Sequence, residues 1–381
     1  MTAETDSAAP ELRHIFDTAR MRHLAEETAA VSADFDAQTF LHLTTHDLDA
    51  LSLMQRLRRV GEALHASLPP AAAYRSRLDV LRALAPRINN RFVTLVLPEY
   101  VARYGLDDFE ASMQALRDFT VYGSSEFGVR PFLRQDLARG MRFMLDWSSD
   151  GDEHVRRLAS EGSRPRLPWS FRLEALVADP GPTRALLDNL RADDSLYVRK
   201  SVANHLNDIA KDHEDYLLAW LQEWAVGERS VSDPRTNRTD WIIRHGLRTL
   251  VKRGDARALA LLGAHPAPQV RVAAAEATPS HLALGEHLGL SLTLESTAAA
   301  GSAPQRLVVD YAVLYRRRAD APSRKVFKLK TVDLAPGERV TLTRRQLFKA
   351  YTTRTHYAGR HGVEWLINGQ CVAQAAFDLT L

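Results

Sequence analysis

Asp150-Gly151-Asp152-Glu153-His154-Val155-Arg156-Arg157-Leu158-Ala159-Ser160-Glu161-Gly162-Ser163-Arg164-Pro165-Arg166-Leu167-Pro168-Trp169 begins as a helix and ends as a loop. Val155 and Leu158 recur at helical spacing and mark an inward face. Glu161-Gly162 breaks the pattern, and the prolines that follow cannot continue it. The opening pattern is an acidic turn, then Val or Ile with a basic residue, then small and apolar positions. It returns as Val198-Arg199-Lys200-Ser201-Val202-Ala203, as Ile243-Arg244-His245-Gly246-Leu247 and as Val270-Arg271-Val272-Ala273-Ala274. The first three copies are 43 and 45 residues apart, the period of two-helix repeats of the HEAT/armadillo type. The last interval is 27, which reads as a truncated final repeat.

Working outward, helical periodicity also marks Leu48–Leu64, Tyr74–Leu84, Phe92–Tyr104, Phe109–Phe119 and Pro131–Trp147. Pro69-Pro70 closes the first of these. Near residue 285 the period changes. Leu290–Leu294, Leu307–Tyr315, Val326–Leu329, Val340–Thr343 and Val363–Ile367 are short alternating segments. Asn368-Gly369 is a two-residue hairpin signal. The expected architecture is mainly α: a HEAT-like solenoid over residues 1–282, then a small immunoglobulin-like β-sandwich over 285–381. The disulfide and core-tryptophan pattern of antibody domains is absent.

Composition narrows the function. With 381 residues, 45% hydrophobic and 25% charged, the chain is long and apolar enough for a folded protein of more than one domain. Its single cysteine, Cys371, leaves no internal disulfide, and no Cys/His set suggests a metal site or another cofactor. The first residues lack the apolar core of a secretory signal, and no apolar run reaches membrane-spanning length, so a bacterial cytosolic protein is expected. The net charge of +3 is uneven: residues from His281 onward carry +6 and the remainder −3. That surplus suits a polyanion, or solubility alone.

Within the repeats a carboxylate follows the basic positions: Glu161 in one and Asp208 in the next. Repeats place equivalent positions side by side, so the two carboxylates converge on one point, with Glu126 a third from the preceding segment. Arg156, Arg157, Arg164, Arg166, Arg199, Lys200 and Arg244 are candidates for phosphate contacts, with Asn204 and Asn207 as neutral donors. Trp169 offers a flat face that attracts cations. Carboxylates among arginines beside an indole suit a polyanion with a cationic centre. Each residue also has an ordinary structural reading. Glu161 can pair with Arg157, Glu126 with Arg130, Asp208 with groups near its helix end, and some arginines with Asp193, Asp194 or Asp240. Trp169 can plug the gap between repeats.

The segments Val155–Trp169, Tyr197–Asp208 and Ser125–Phe132 together resemble the AlkC/AlkD superfamily of HEAT-like-repeat DNA glycosylases, and within it AlkC with an appended immunoglobulin-like domain. The resemblance spans essentially the whole chain. It implies a monofunctional glycosylase that excises cationic alkylated bases such as 3-methyladenine and 3-methylcytosine from duplex DNA, leaving an abasic site, without extruding the base. It implies catalytic roles for Glu161, Asp208, Trp169 and Glu126, no cofactor, and a monomer on double-stranded DNA. A base methylated at such a ring nitrogen carries a positive charge and already leaves readily, so what remains is negative charge for an oxocarbenium-like sugar and a carboxylate to position water. Arg316-Arg317-Arg318 and Arg344-Arg345 are further candidates for closing over the duplex. The competing expectation is a non-catalytic repeat scaffold that binds damaged or branched DNA, or a partner protein.

Overall fold

A computed structural model describes residues 12–69, 72–226, 234–318, 321–350 and 354–381. The chain divides into two compact units, one ending at Asp212 and the other starting at His213. The first unit is helical: α1 (Thr18–Val31), α2 (Ala37–Thr45), α3 (Leu53–Ser67), α4 (Tyr74–Leu84), α5 (Val96–Tyr104) and α6 (Phe109–Thr120). It continues with α7 (Arg130–Gln135), α8 (Leu137–Trp147), α9 (Glu153–Gly162), α10 (Glu174–Ala178), α11 (Arg184–Leu190) and α12 (Leu196–Ile209).

Packing runs between near neighbours, α3 on α5, α5 on α6, α6 on α9 and α9 on α12, as stacked helix pairs require. The inward positions read from the repeat are buried: Val155 is 2% exposed, and Leu158, Val198 and Val202 are fully enclosed. Each such side chain contributes about 1.5–3 kcal/mol of apolar burial. Local signals set the helix ends. Asp152 accepts a hydrogen bond from His154 N at the start of α9 (2.7 Å), and Ser52 and Gln55 form a capping box on α3. The periodic stretch Pro131–Trp147 is two helices rather than one. Asp136 interrupts it and caps α8 by accepting from Arg139 N at 3.0 Å. Leu48–Leu64 is likewise divided, with a 3-10 turn at Leu48–Ala50 before α3.

The second unit opens with α13 (Glu214–Val226), α14 (Pro234–Gly246), α15 (Arg248–Arg253) and α16 (Ala256–Leu261). Strands follow: β1 (Val270–Thr278), β2 (His281–Ala283), β3 (His287–Ser296), β4 (Gln305–Tyr315), β5 (Ser323–Leu334), β6 (Arg339–Leu347), β7 (Gly359–Ile367) and β8 (Gln370–Thr380). They form two sheets, ordered β1-β3-β6 and β2-β8-β7-β4-β5, with antiparallel pairing except between β2 and β8. Leu292, Leu294, Val309, Tyr311, Val363 and Trp365 fill the space between them. Trp365 is fully enclosed in this core, without the disulfide that accompanies the core tryptophan of antibody domains. Asn368 and Gly369 form the β7–β8 turn with φ of 47° and 78°, the left-handed region that a two-residue hairpin needs.

Two expectations change here. Val270-Arg271-Val272-Ala273-Ala274 is not a fourth helical repeat but lies in β1, paired with β3. Five residues of mixed apolar and basic character satisfy either period, and pairing with β3 decides between them. The helical region consequently stops at Leu261, and the β region begins at Val270 rather than near 285. Among the described residues no helix is long and apolar enough to cross a membrane.

Candidate active site

Glu161 lies in the last turn of α9 and Asp208 in the last turn of α12, two helices that pack together. Both are buried, at 6% and 2% exposure, and Arg164 joins them. Its Nη1 donates to Glu161 Oε1 at 2.6 Å, while Nε and Nη2 each lie 2.8 Å from Asp208 Oδ2. The second oxygens have their own donors. Ser201 Oγ donates to Glu161 Oε2 at 2.6 Å, and Lys211 Nζ donates to Asp208 Oδ1 at 2.9 Å.

Glu126 enters from the turn before α7. Arg157 Nη1 donates to its Oε2 at 2.5 Å, and Ser124 Oγ donates to the same oxygen at 2.7 Å. Arg157 Nη2 also lies 3.8 Å from Glu161 Oε1, so it ties the third carboxylate to the first. Gly162 permits this close approach, because a Cβ there would meet Val129 Cγ2 at 2.5 Å. The three expected carboxylates therefore meet in one charge network.

The guanidiniums of the network are held differently. Burial opposes the charge on Arg157, but Glu126 and then Glu161 raise its pKa above the ordinary arginine value. Arg164 is likewise opposed by burial and raised by Glu161 and Asp208. Among the described residues Arg130 has no carboxylate partner at hydrogen-bonding distance. It donates to the carbonyls of Gly162 (3.0 Å), Arg164 (2.8 Å) and Phe171 (2.5 Å), closing the loop that carries Trp169. Burial, followed by repulsion from Arg164, lowers its pKa to about 10.

Trp169 is not a plug between repeats. It is 90% exposed, held at a φ of +65° in that closed loop, and borders an apolar recess shared with Met54, Phe92, Phe127 and Ser124. The neighbouring tryptophans behave as core: Trp147, Trp220 and Trp224 are all buried.

The basic candidates divide into groups. Arg164, expected at a phosphate, is 7% exposed and spends its donors on Glu161 and Asp208. Arg156 binds Asp193 and Asp194, and Arg166 binds Asp212 through two parallel hydrogen bonds. Arg199 donates to the carbonyls of Asp193 and Asp194. Lys200 is exposed, Asn204 is half-buried and Asn207 is buried. In the second unit Arg244, Arg316, Arg317, Arg318, Arg344 and Arg345 are all exposed. The pairing of Glu126 with Arg130 does not occur, since Arg157 takes that place.

Sequence reading passed over Tyr197, Ser201 and Lys211. Tyr197 stacks under Arg157, whose guanidinium carbon lies 4.7 Å from the ring centre. Ser201 was detectable as the residue seven before Asp208, two turns away on the same helix face. Among the described residues no group of His, Cys, Asp and Glu could hold a metal ion.

A stack of helix pairs with a buried carboxylate–arginine cluster, followed by an immunoglobulin-like sandwich, defines a helical-repeat protein with an appended β domain. The chain is 49% identical to Pseudomonas fluorescens AlkC, an alkylpurine DNA glycosylase whose structure was solved bound to DNA containing an abasic site analog. The match has a TM-score of 0.90 and covers 98% of this chain and 100% of that one. It is also 39% identical to YhaZ of Bacillus subtilis (strain 168) over 94% of this chain and 97% of the relative. Residues 271–381 match a family described as "Uncharacterised protein YhaZ, C-terminal Ig-like domain". The chain belongs to the AlkC family.

Proposed function

We propose that this protein is a monofunctional DNA glycosylase that removes cationic alkylated bases, among them 3-methyladenine and 3-methylcytosine, from duplex DNA. The observation that carries this reading is the convergence of Glu126, Glu161 and Asp208 through Arg157 and Arg164. The glycosylase activity of its AlkC relative supports it.

The N-glycosidic bond breaks with its electron pair going to the base, which leaves uncharged. The sugar becomes oxocarbenium-like, and the buried carboxylates offset its positive charge. Water then adds at the anomeric carbon, and a carboxylate takes its proton. Trp169 presents an exposed indole face to the sugar or the cationic base. Because that ring lies at the surface, it suits a nucleotide met in place rather than one extruded into a deep pocket. Lys211 serves Asp208 as an ion-pair partner rather than as a nucleophile, which supports hydrolysis without a lyase step. We assign DNA binding and catalysis to the helical residues and take the working form to be a cytosolic monomer on DNA.

Methylated duplex DNA incubated with the protein should release free 3-methyladenine and leave abasic sites, with no borohydride-trapped adduct. DNA binding without any base release would instead favour an inert repeat scaffold whose carboxylates only neutralise its arginines.

A further inference from the structure

Glu161 and Asp208 sit on different helices, so their separation depends on how α9 and α12 are held together. Ser201, His205 and Asp208 follow one another at intervals of four and three on α12 and share the side turned to α9. Ser201 and Asp208 meet Glu161 and Arg164 directly. His205, between them, is fully buried, and its Nδ1 lies 3.0 Å from the carbonyl oxygen of Ser160. That carbonyl belongs to the peptide leading into Glu161. It can only accept, so Nδ1 carries the proton, and in the uncharged ring Nε2 is a bare acceptor. Nε2 has no hydrogen-bond partner among the described residues.

We infer that His205 is a positioning residue for the two carboxylates: its Nδ1–H pins the peptide before Glu161 to the turn of α12 that carries Asp208. The inference rests on the glycosylase reading. Burial favours the uncharged ring and lowers its pKa to about 4, and the charged groups acting on it are Asp208, Arg164 and Glu161. A charged ring would need a second acceptor at Nε2 and would set another cation beside Arg164.

The test compares wild type, His205→Leu and His205→Asn on methylated duplex DNA, measuring the single-turnover rate of base release and the DNA Kd. Leucine keeps the bulk without the donor, whereas the asparagine amide offers a donor near the place of Nδ1. His205→Leu should slow release by about 10- to 100-fold, the scale set by small misplacements of reacting groups, and leave Kd unchanged. His205→Asn should recover most of the lost rate. Unslowed release in His205→Leu, or equal loss in both variants, would overturn the inference. If His205→Leu does not fold, nitrogen NMR of the wild-type ring decides. A protonated Nδ1 and bare Nε2 from pH 8 down to 5.5 support the inference, and the opposite tautomer or titration near 6.5 overturns it. Wild type that releases no base would sink the glycosylase reading along with it, whereas active wild type beside an unslowed His205→Leu would sink this inference alone.

Discussion

Replacing Arg164 with methionine removes the bridge between two buried carboxylates while filling most of the space its stem occupies. Arg164 makes charged hydrogen bonds of 2.6 and 2.8 Å to residues that are 6% and 2% exposed. Removing one partner from a buried ion pair costs about 3–5 kcal/mol, because the remaining charge is left without compensation. Ser201 and Lys211 still serve one oxygen on each carboxylate, which places the expected loss near the lower end, at about 3 kcal/mol. Arg166→Met is the control. Its two-point pair with Asp212 looks similar, but the side chains are 20% and 26% exposed, and water replaces the lost partner. That substitution should cost less than about 1 kcal/mol. Urea unfolding of the full chain at pH 7.5 measures both. An Arg164→Met loss no larger than that of Arg166→Met would refute the view that Arg164 bridges buried carboxylates.

Two further outcomes follow from the same structure. His205 has a pKa of about 4 in the folded protein against 6.5 for the free side chain, so below pH 6.5 the unfolded chain takes up a proton that the folded one refuses. This contribution is complete above 6.5 and is lost as pH falls toward 4, amounting to roughly 3 kcal/mol. Comparing the acid unfolding of wild type and His205→Asn isolates it, and parallel pH curves would count against it. Arg344 and Arg345 are exposed on β6. If they meet phosphates, changing both to alanine should weaken DNA binding and reduce its salt slope by about 2, whereas an unchanged slope would assign them to solubility.

Glu161 and Asp208 could be picked out in the sequence because each lies near the end of a helix that opens with the repeat's basic pair, and stacking brings those helix ends together, although Asp208 lies 47 residues after Glu161, one helical turn beyond the 43-residue repeat interval. The task of Arg164 was not. An arginine in a proline-rich loop looks the same whether it meets a phosphate or a carboxylate on another helix. Asp208 lies 44 positions away from it, and no local pattern announces the bond. His205 and Ser201 escaped notice for the related reason that both resemble ordinary interior positions of α12 until α9 is laid against them. The strands from Leu290 onward showed their alternation, but β1 did not. Its Val-Arg-Val opening copies the repeat, and its alanines carry little periodic contrast. The division of Pro131–Trp147 turns on Asp136, which caps α8 through its bond to Arg139 N, whereas an aspartate in a periodic stretch looks the same on an unbroken helix face.

In the proposed reaction Glu161 and Asp208 do chemistry rather than only neutralise arginines. Single-turnover release of 3-methyladenine from methylated duplex DNA, with DNA Kd measured in parallel for wild type, Glu161→Gln and Asp208→Asn, tests it most directly. Both near-isosteric variants should bind DNA within about threefold of wild type, while release slows by at least about 100-fold, the range typical of positioned acid–base groups. Release at the wild-type rate in both variants would contradict it.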